Sequence, residues 1–201
     1  MWPELLAEQR QRLAGDPSNA EIKLQLADAL HLSGEVTQAQ VLYEDLISRL
    51  QGRVIRDGNL DSGASTARAA LGRRRAGDQA GAAELIELAK EDQHQHGLAG
   101  ILHGEHYRAD AILEAVQGNE AMALHNIQLA IEAGLTDRSV FSEPAFEALR
   151  GSQAFIALEL KLDTFLASER EKALQMICYN NPVPESWQPL PETCEGVEES
   201  P

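Results

Sequence analysis

Three glycines, Gly34, Gly77 and Gly118, each stand five residues ahead of an alanine, Ala39, Ala82 and Ala123, and recur at intervals of 43 and 41 residues. Glycine has no Cβ and enters the left-handed region cheaply, so each of the three can close a helix. Downstream, small and apolar residues return at helical spacings: Tyr43 and Leu46, then Leu85 and Ala89, then Ile127, Ala130 and Ile131. A helix–turn–helix unit repeated at a near-constant period buries its apolar face by stacking on the next copy. The chain therefore reads as all-α, an α-solenoid of three helical hairpins.

Composition agrees with close-packed helices. Hydrophobic residues make up 43% of the 201-residue chain but aromatics only 4%, so alanine and leucine must do most of the packing. That balance disfavours sheets, which draw on β-branched and aromatic side chains. The formal net charge is −15, which repels phosphate backbones and anionic membranes and points to proteins or cations as partners. The opening MWPELLAEQR lacks a basic start followed by an apolar run, and no stretch approaches the roughly 20 apolar residues of a membrane span, so a cytoplasmic address is expected.

Taken in order, residues 1–15 form an amino-terminal helix with Leu5, Leu6 and Leu13 on its apolar side. Asp16 and Pro17 suit the start of the next helix. The helical array occupies residues 16–135. Within it, residues 52–63 carry three glycines and read as a loop, or as a short strand at Val54 and Ile55, and residues 93–104 read as a polar connector. Residues 136–178 are expected to cap the array through a long helix bearing Phe155, Leu158, Leu162, Phe165 or Leu166, Ala173 and Ile177. From residue 179 to 201, Pro182, Pro184, Pro189 and Pro191 forbid a helix and favour an extended tail.

Leu26, Ala27, Leu30, Gly34, Ala39 and Tyr43 stand at the spacings of a tetratricopeptide repeat, which the first hairpin resembles. Ala70, Gly77, Ala82 and Ala89, then Tyr107, Ala111, Gly118, Ala123 and Ala130, form similar sets. The likeness covers about residues 16–135. Leu46 and Ile127 depart from the motif, and both intervals exceed its usual length of about 34 residues. The ending EAGLTDRSVFSEPAFEALRGSQAF is similar to the terminal repeat and cap of bacterial tetratricopeptide proteins. The resemblance implies a concave groove, lined by the first helix of each pair, that holds a segment of another protein. Positions matching that groove include Leu24, Asp28, Ala67, Leu71, Arg108 and Ile112, so the clamp of lysines and asparagines used by some members is not present. Apolar contacts with a few arginines are expected instead.

The densest basic feature is Arg68, Arg73, Arg74 and Arg75. On a helix Arg68 and Arg75 are a heptad apart and share a face, from which they can grip carboxylates of a partner or pair with acidic neighbours of the array. The tail offers Trp187 and Leu190 as anchors beside Glu192, Glu195, Glu198 and Glu199, so it either docks on the array as an internal ligand or remains a loose tail. His94, His96, His103, Glu105 and His106 form the one metal-like cluster, although HGEH lacks the spacing that puts two histidines a turn apart beside a catalytic glutamate. Cys178 and Cys194 pair if the tail doubles back in an oxidising compartment, and remain reduced thiols in the cytoplasm.

No glycine-rich phosphate loop, serine elbow or cysteine–histidine pair is present, so neither an enzyme nor a cofactor is expected. The reading is a non-catalytic scaffold or adaptor that binds a protein or peptide, with partner contacts at Leu24, Asp28, Arg68, Leu71, Arg75, Arg108, Ile112 and Trp187. Two alternatives are the regulatory or sensory arm of a larger signalling enzyme or transcription regulator, and a histidine-rich metal-binding protein. The open edge at the short first helix leaves a homodimer as a further expectation.

Overall fold

The computed structural model describes residues 2–50, 62–98, 103–180 and Cys194, and every regular element among them is helical. Helix α1 spans Trp2–Gly15, α2 Ala20–Leu32, α3 Val36–Leu50, α4 Ser62–Arg75, α5 Gln79–Leu98, α6 Gly104–Gln117 and α7 Glu120–Glu132. Two short 3-10 turns follow, Arg138–Ser142 and Pro144–Phe146, and then α8, Gln153–Gln175, which widens into a π turn at Met176–Asn180. The chain divides into two compact units, residues 1–156 and 157–201.

In the first unit α2 pairs with α3, α4 with α5, and α6 with α7, while α1 packs on α2 and α4 on α6. Gly34, Gly77 and Gly118 turn the three hairpins with φ of +90°, +87° and +87°. In each turn the glycine N–H reaches the carbonyl three residues back and the next N–H reaches the carbonyl five back, as in Gly34 to His31 at 3.0 Å and Glu35 to Leu30 at 2.8 Å. These paired bonds satisfy carbonyls that a helix end otherwise leaves open. Gly134 closes α7 in the same way. Ala39, Ala82 and Ala123, the alanines that mark the repeat, are fully buried, as are Tyr43, Ile112 and Ile127.

Local differences from the sequence expectations have simple causes. Helix α2 starts at Ala20, because Asn19 rather than Asp16 caps it by accepting from Ile22 N at 3.1 Å. Asp16 instead accepts from the side chains of Ser18 and Asn19 in the preceding turn. Helix α5 runs on to Leu98 through much of the stretch read as a connector, since residues 93–96 hold neither proline nor glycine to stop it. The proposed strand at Val54 and Ile55 lies outside the described residues, as does the tail apart from its start and Cys194.

Gly104 begins α6 where the chain leaving α7 passes closest. A Cβ there would lie 2.7 Å from Leu135 N, 2.9 Å from Leu135 Cα and 3.0 Å from Ala130 O, all backbone atoms that cannot swing aside. Gly104→Ala is accordingly expected to lower stability by about 1–3 kcal/mol, the usual range for overpacking. Urea denaturation reads the difference, and wild-type stability in the variant would show that the Leu135 backbone yields freely.

In the second unit, Cys178 and Cys194 are joined by a disulfide, their Cα atoms 5.9 Å apart. This corrects the reading of two reduced thiols. Residues separated by 16 positions come within bridging range through the path of the chain, which their spacing does not announce. Along α8, Leu158 and Leu162 are buried, but Ala173 and Ile177 of the expected apolar stripe are exposed.

Candidate functional site

Asp28 and His31, three residues apart, share a face of α2, and Ser65 and Arg68 share a face of α4. Between the two 3-10 turns, Glu143 has extended backbone with φ of −57° and ψ of 121°. Its surroundings fix that conformation. Asp137 starts the first turn by accepting from Ser139 N at 2.8 Å, and Arg150 Nη2 donates to the carbonyls of Ser142 at 2.8 Å and Glu143 at 3.1 Å. Pro144, preset for a helical φ, opens the second turn.

The Glu143 side chain ends in a charged, water-excluded cluster. Arg68 donates from Nε and Nη2 to Glu143 Oε2 at 3.1 and 3.0 Å, and its Nη1 stands 3.1 Å from Asp28 Oδ1. His31 Nε2 lies 2.9 Å from Glu143 Oε1. Tyr43 OH donates to Asp28 Oδ1 at 2.5 Å, and Ser65 Oγ to both Asp28 oxygens at 3.3–3.4 Å. The Glu143, Arg68 and His31 side chains are 1%, 3% and 0% exposed. Only Asp28, at 24%, touches solvent appreciably.

Electrostatics follow from this packing. Burial alone pushes the Glu143 carboxyl up, but the Arg68 charge and the hydrogen bond and charge of His31 outweigh it and hold the group at about 2. An ionised carboxylate only accepts, so His31 Nε2 carries the proton between them, leaving Nδ1 buried without a hydrogen-bond partner among the described residues. Burial, reinforced by Asp28, raises the Tyr43 hydroxyl well above its ordinary value, so it stays a donor. The described geometry is that of a latch: a forked arginine and an imidazole seize a carboxylate and hold residues 138–147 to α2 and α4.

The arginine cluster is committed within the chain. Arg68 takes Glu143 and Asp28, Arg73 takes Glu44 through two bonds of 2.6 Å, and Arg74 donates to the Val116 carbonyl. Arg75 Nη2 donates to Glu147 Oε2 at 2.8 Å and to Pro144 O at 3.4 Å. The heptad partners Arg68 and Arg75 thus do grip carboxylates of the same chain, Arg68 those of Glu143 and Asp28 and Arg75 that of Glu147. Of the other partner-contact candidates, Leu24 and Ile112 are buried and Leu71 is half-buried. Arg108 stands 2.7 Å from Glu105 and 3.4 Å from Asp137. Trp187 lies outside the described residues.

Of the predicted cluster, His94, His103 and His106 have separate surroundings, and the side chain of His96 lies outside the described residues. His103 caps α6 by accepting from Glu105 N at 3.2 Å, His106 is buried 3.4 Å from Asp110, and His94 is exposed on α5. Among the described residues no group of three or more histidine, cysteine or acidic side chains is placed to hold a metal ion. Burial, with Glu114 adding repulsion, pushes Asp110 up to about 6, so it favours its neutral form more than an exposed aspartate does.

Sequence reading did not single out His31 or Glu143, and it gave Tyr43 only as a packing residue of the repeat. Nothing local marks Glu143, one of 32 acidic residues, as buried. Its proximity to Pro144 in a run bounded by Phe141 and Phe146 is the one signal that the segment turns inward. Comparison with protein-family models, curated proteins and solved structures gives no match.

Proposed function

We propose that this chain is a non-catalytic interaction module in which the three hairpins stack as a tetratricopeptide-like solenoid and their first helices, α2, α4 and α6, bind a short segment of another protein. One observation carries the reading: the face of α2 and α4 holds a short segment of the chain itself, residues 143–147, by its two flanking glutamates through arginine forks and an imidazole. A partner segment bearing carboxylates finds the same chemistry at Arg75, whose side chain is 40% exposed. Arginine suits that task because its planar fork matches a carboxylate in geometry as well as charge.

The disulfide bears on where the module works. Such bonds persist in oxidising compartments, so the Cys178–Cys194 pair favours one over the cytoplasm. Capture from a lysate of the source cell, with the captured proteins identified by mass spectrometry, tests the function. Wild type is expected to retain a protein that Arg75→Glu loses while circular dichroism shows unchanged helicity. Equal retention by both removes this face from the mechanism.

A further inference from the structure

Arg75 and Arg150 meet at a pocket of about 500 Å³, walled by Trp2, Phe141 and Pro144 and edged by Glu147. Each guanidinium is anchored through Nη2 alone, Arg75 on Glu147 and the Pro144 carbonyl, Arg150 on the carbonyls of Ser142 and Glu143. Their Nε and Nη1 groups have no partner among the described residues. Two forks are therefore held in place with donors to spare. The ordering cost that a flexible arginine incurs on binding is largely met in advance.

Charge and shape narrow the ligand. Two arginines and one glutamate leave the pocket with one net positive charge in a chain of −15. One carboxylate neutralises that charge and offers two coplanar oxygens to a guanidinium edge. A phosphate monoester, with a charge of about −1.5 to −2, overshoots it and meets the repulsion of the whole chain. Beside the arginines, in a lining that is otherwise mostly polar, the half-buried indole of Trp2 and an edge of the nearly enclosed Phe141 ring supply a small apolar wall. A volume of this size lies within the range of about 300–1,000 Å³ typical of small-molecule sites.

From this juxtaposition of two anchored arginines with aromatic walls we infer that the pocket binds a small monocarboxylate with an apolar body. The inference shares Arg75 with the partner-binding reading, whereas Trp2 and Arg150 belong to the pocket alone, so a loss of phenylacetate binding in Trp2→Ala is separable from a loss of the captured protein in Arg75→Glu. Glu147 is its built-in competitor: the carboxylate, 74% exposed, occupies Arg75 and lowers the pocket's charge.

Calorimetric titration of the full chain with phenylacetate, phenylacetamide and inorganic phosphate tests the assignment. Phenylacetate is expected to bind at least tenfold more tightly than its uncharged amide or phosphate. Arg75→Gln and Trp2→Ala should each weaken it several-fold. Glu147→Gln keeps an acceptor for Arg75 while removing the competing charge, and should tighten phenylacetate several-fold. A purely structural role for these side chains does not produce that gain. Equal binding of acid and amide, preference for phosphate, or no binding by a folded Glu147→Gln chain each overturns the inference. So does binding of a peptide such as acetyl-Ala-Phe when phenylacetate fails.

Discussion

Glu143→Gln is expected to destabilise the first unit by about 3–5 kcal/mol at pH 7, the range found when one partner of a buried ion pair is removed. Arg68, 3% exposed, would lose the buried carboxylate that takes two of its N–H groups, and His31 would lose the carboxylate that accepts its proton. Against a total stability of about 5–15 kcal/mol for a typical domain, the loss is large. Urea denaturation of wild type and variant measures it directly. A midpoint and slope unchanged in the variant would mean that the cluster does not hold residues 138–147 in place.

The same substitution has a pH signature. A carboxyl at about 2 in the folded chain, against an ordinary value of 4.5, is a depressed group. It therefore contributes stability that is present above about 4.5 and disappears as pH falls through about 2. The difference corresponds to about 3 kcal/mol at neutral pH. Wild type should lose that share between pH 4.5 and 2, while Glu143→Gln, already lacking it, should show a shallower slope across the same window. Parallel curves would assign the acid sensitivity to other carboxylates.

Phe146→Ala is expected to cost about 3–5 kcal/mol, the usual price of removing a fully buried phenyl ring and leaving a cavity. Phe146 is completely enclosed and meets Phe155 edge to face at 5.9 Å, and Phe155 meets Phe141 at 5.3 Å in the same manner. These rings pin both 3-10 turns, and so hold Glu143 against α2 and α4 and Phe141 in the wall of the arginine pocket. Limited digestion by a glutamate-specific protease should cut the variant near Glu147 well before it cuts wild type. Stability within about 1 kcal/mol of wild type would show that polar contacts alone secure the segment.

Hairpins were legible because their determinants are local. Gly34, Gly77 and Gly118 stand where the chain must take a positive φ, and the alanine five residues later lands on the buried face of the returning helix, so turn and packing are both written within a few residues. Helix limits were less legible at α5, where polar residues neither favour nor forbid another turn and neighbouring contacts decide. Arg68 and Arg75 were correctly placed on one helix face by their spacing alone. What they bind was not readable, since Glu143 lies 75 residues from Arg68 and 112 from His31. The Cys178–Cys194 bond likewise depends on the path between two residues rather than on either one.

By itself, then, the sequence determined the helical class and the hairpin turns, because backbone conformation and helical periodicity act over one or two turns of chain. Only the tertiary structure decided that the arginine face is filled by residues 143–147 and that a second arginine, Arg150, joins Arg75 beside Trp2. Burial and charge pairing are properties of distant segments brought together, and each acidic residue looks alike until the fold selects which one is taken out of water.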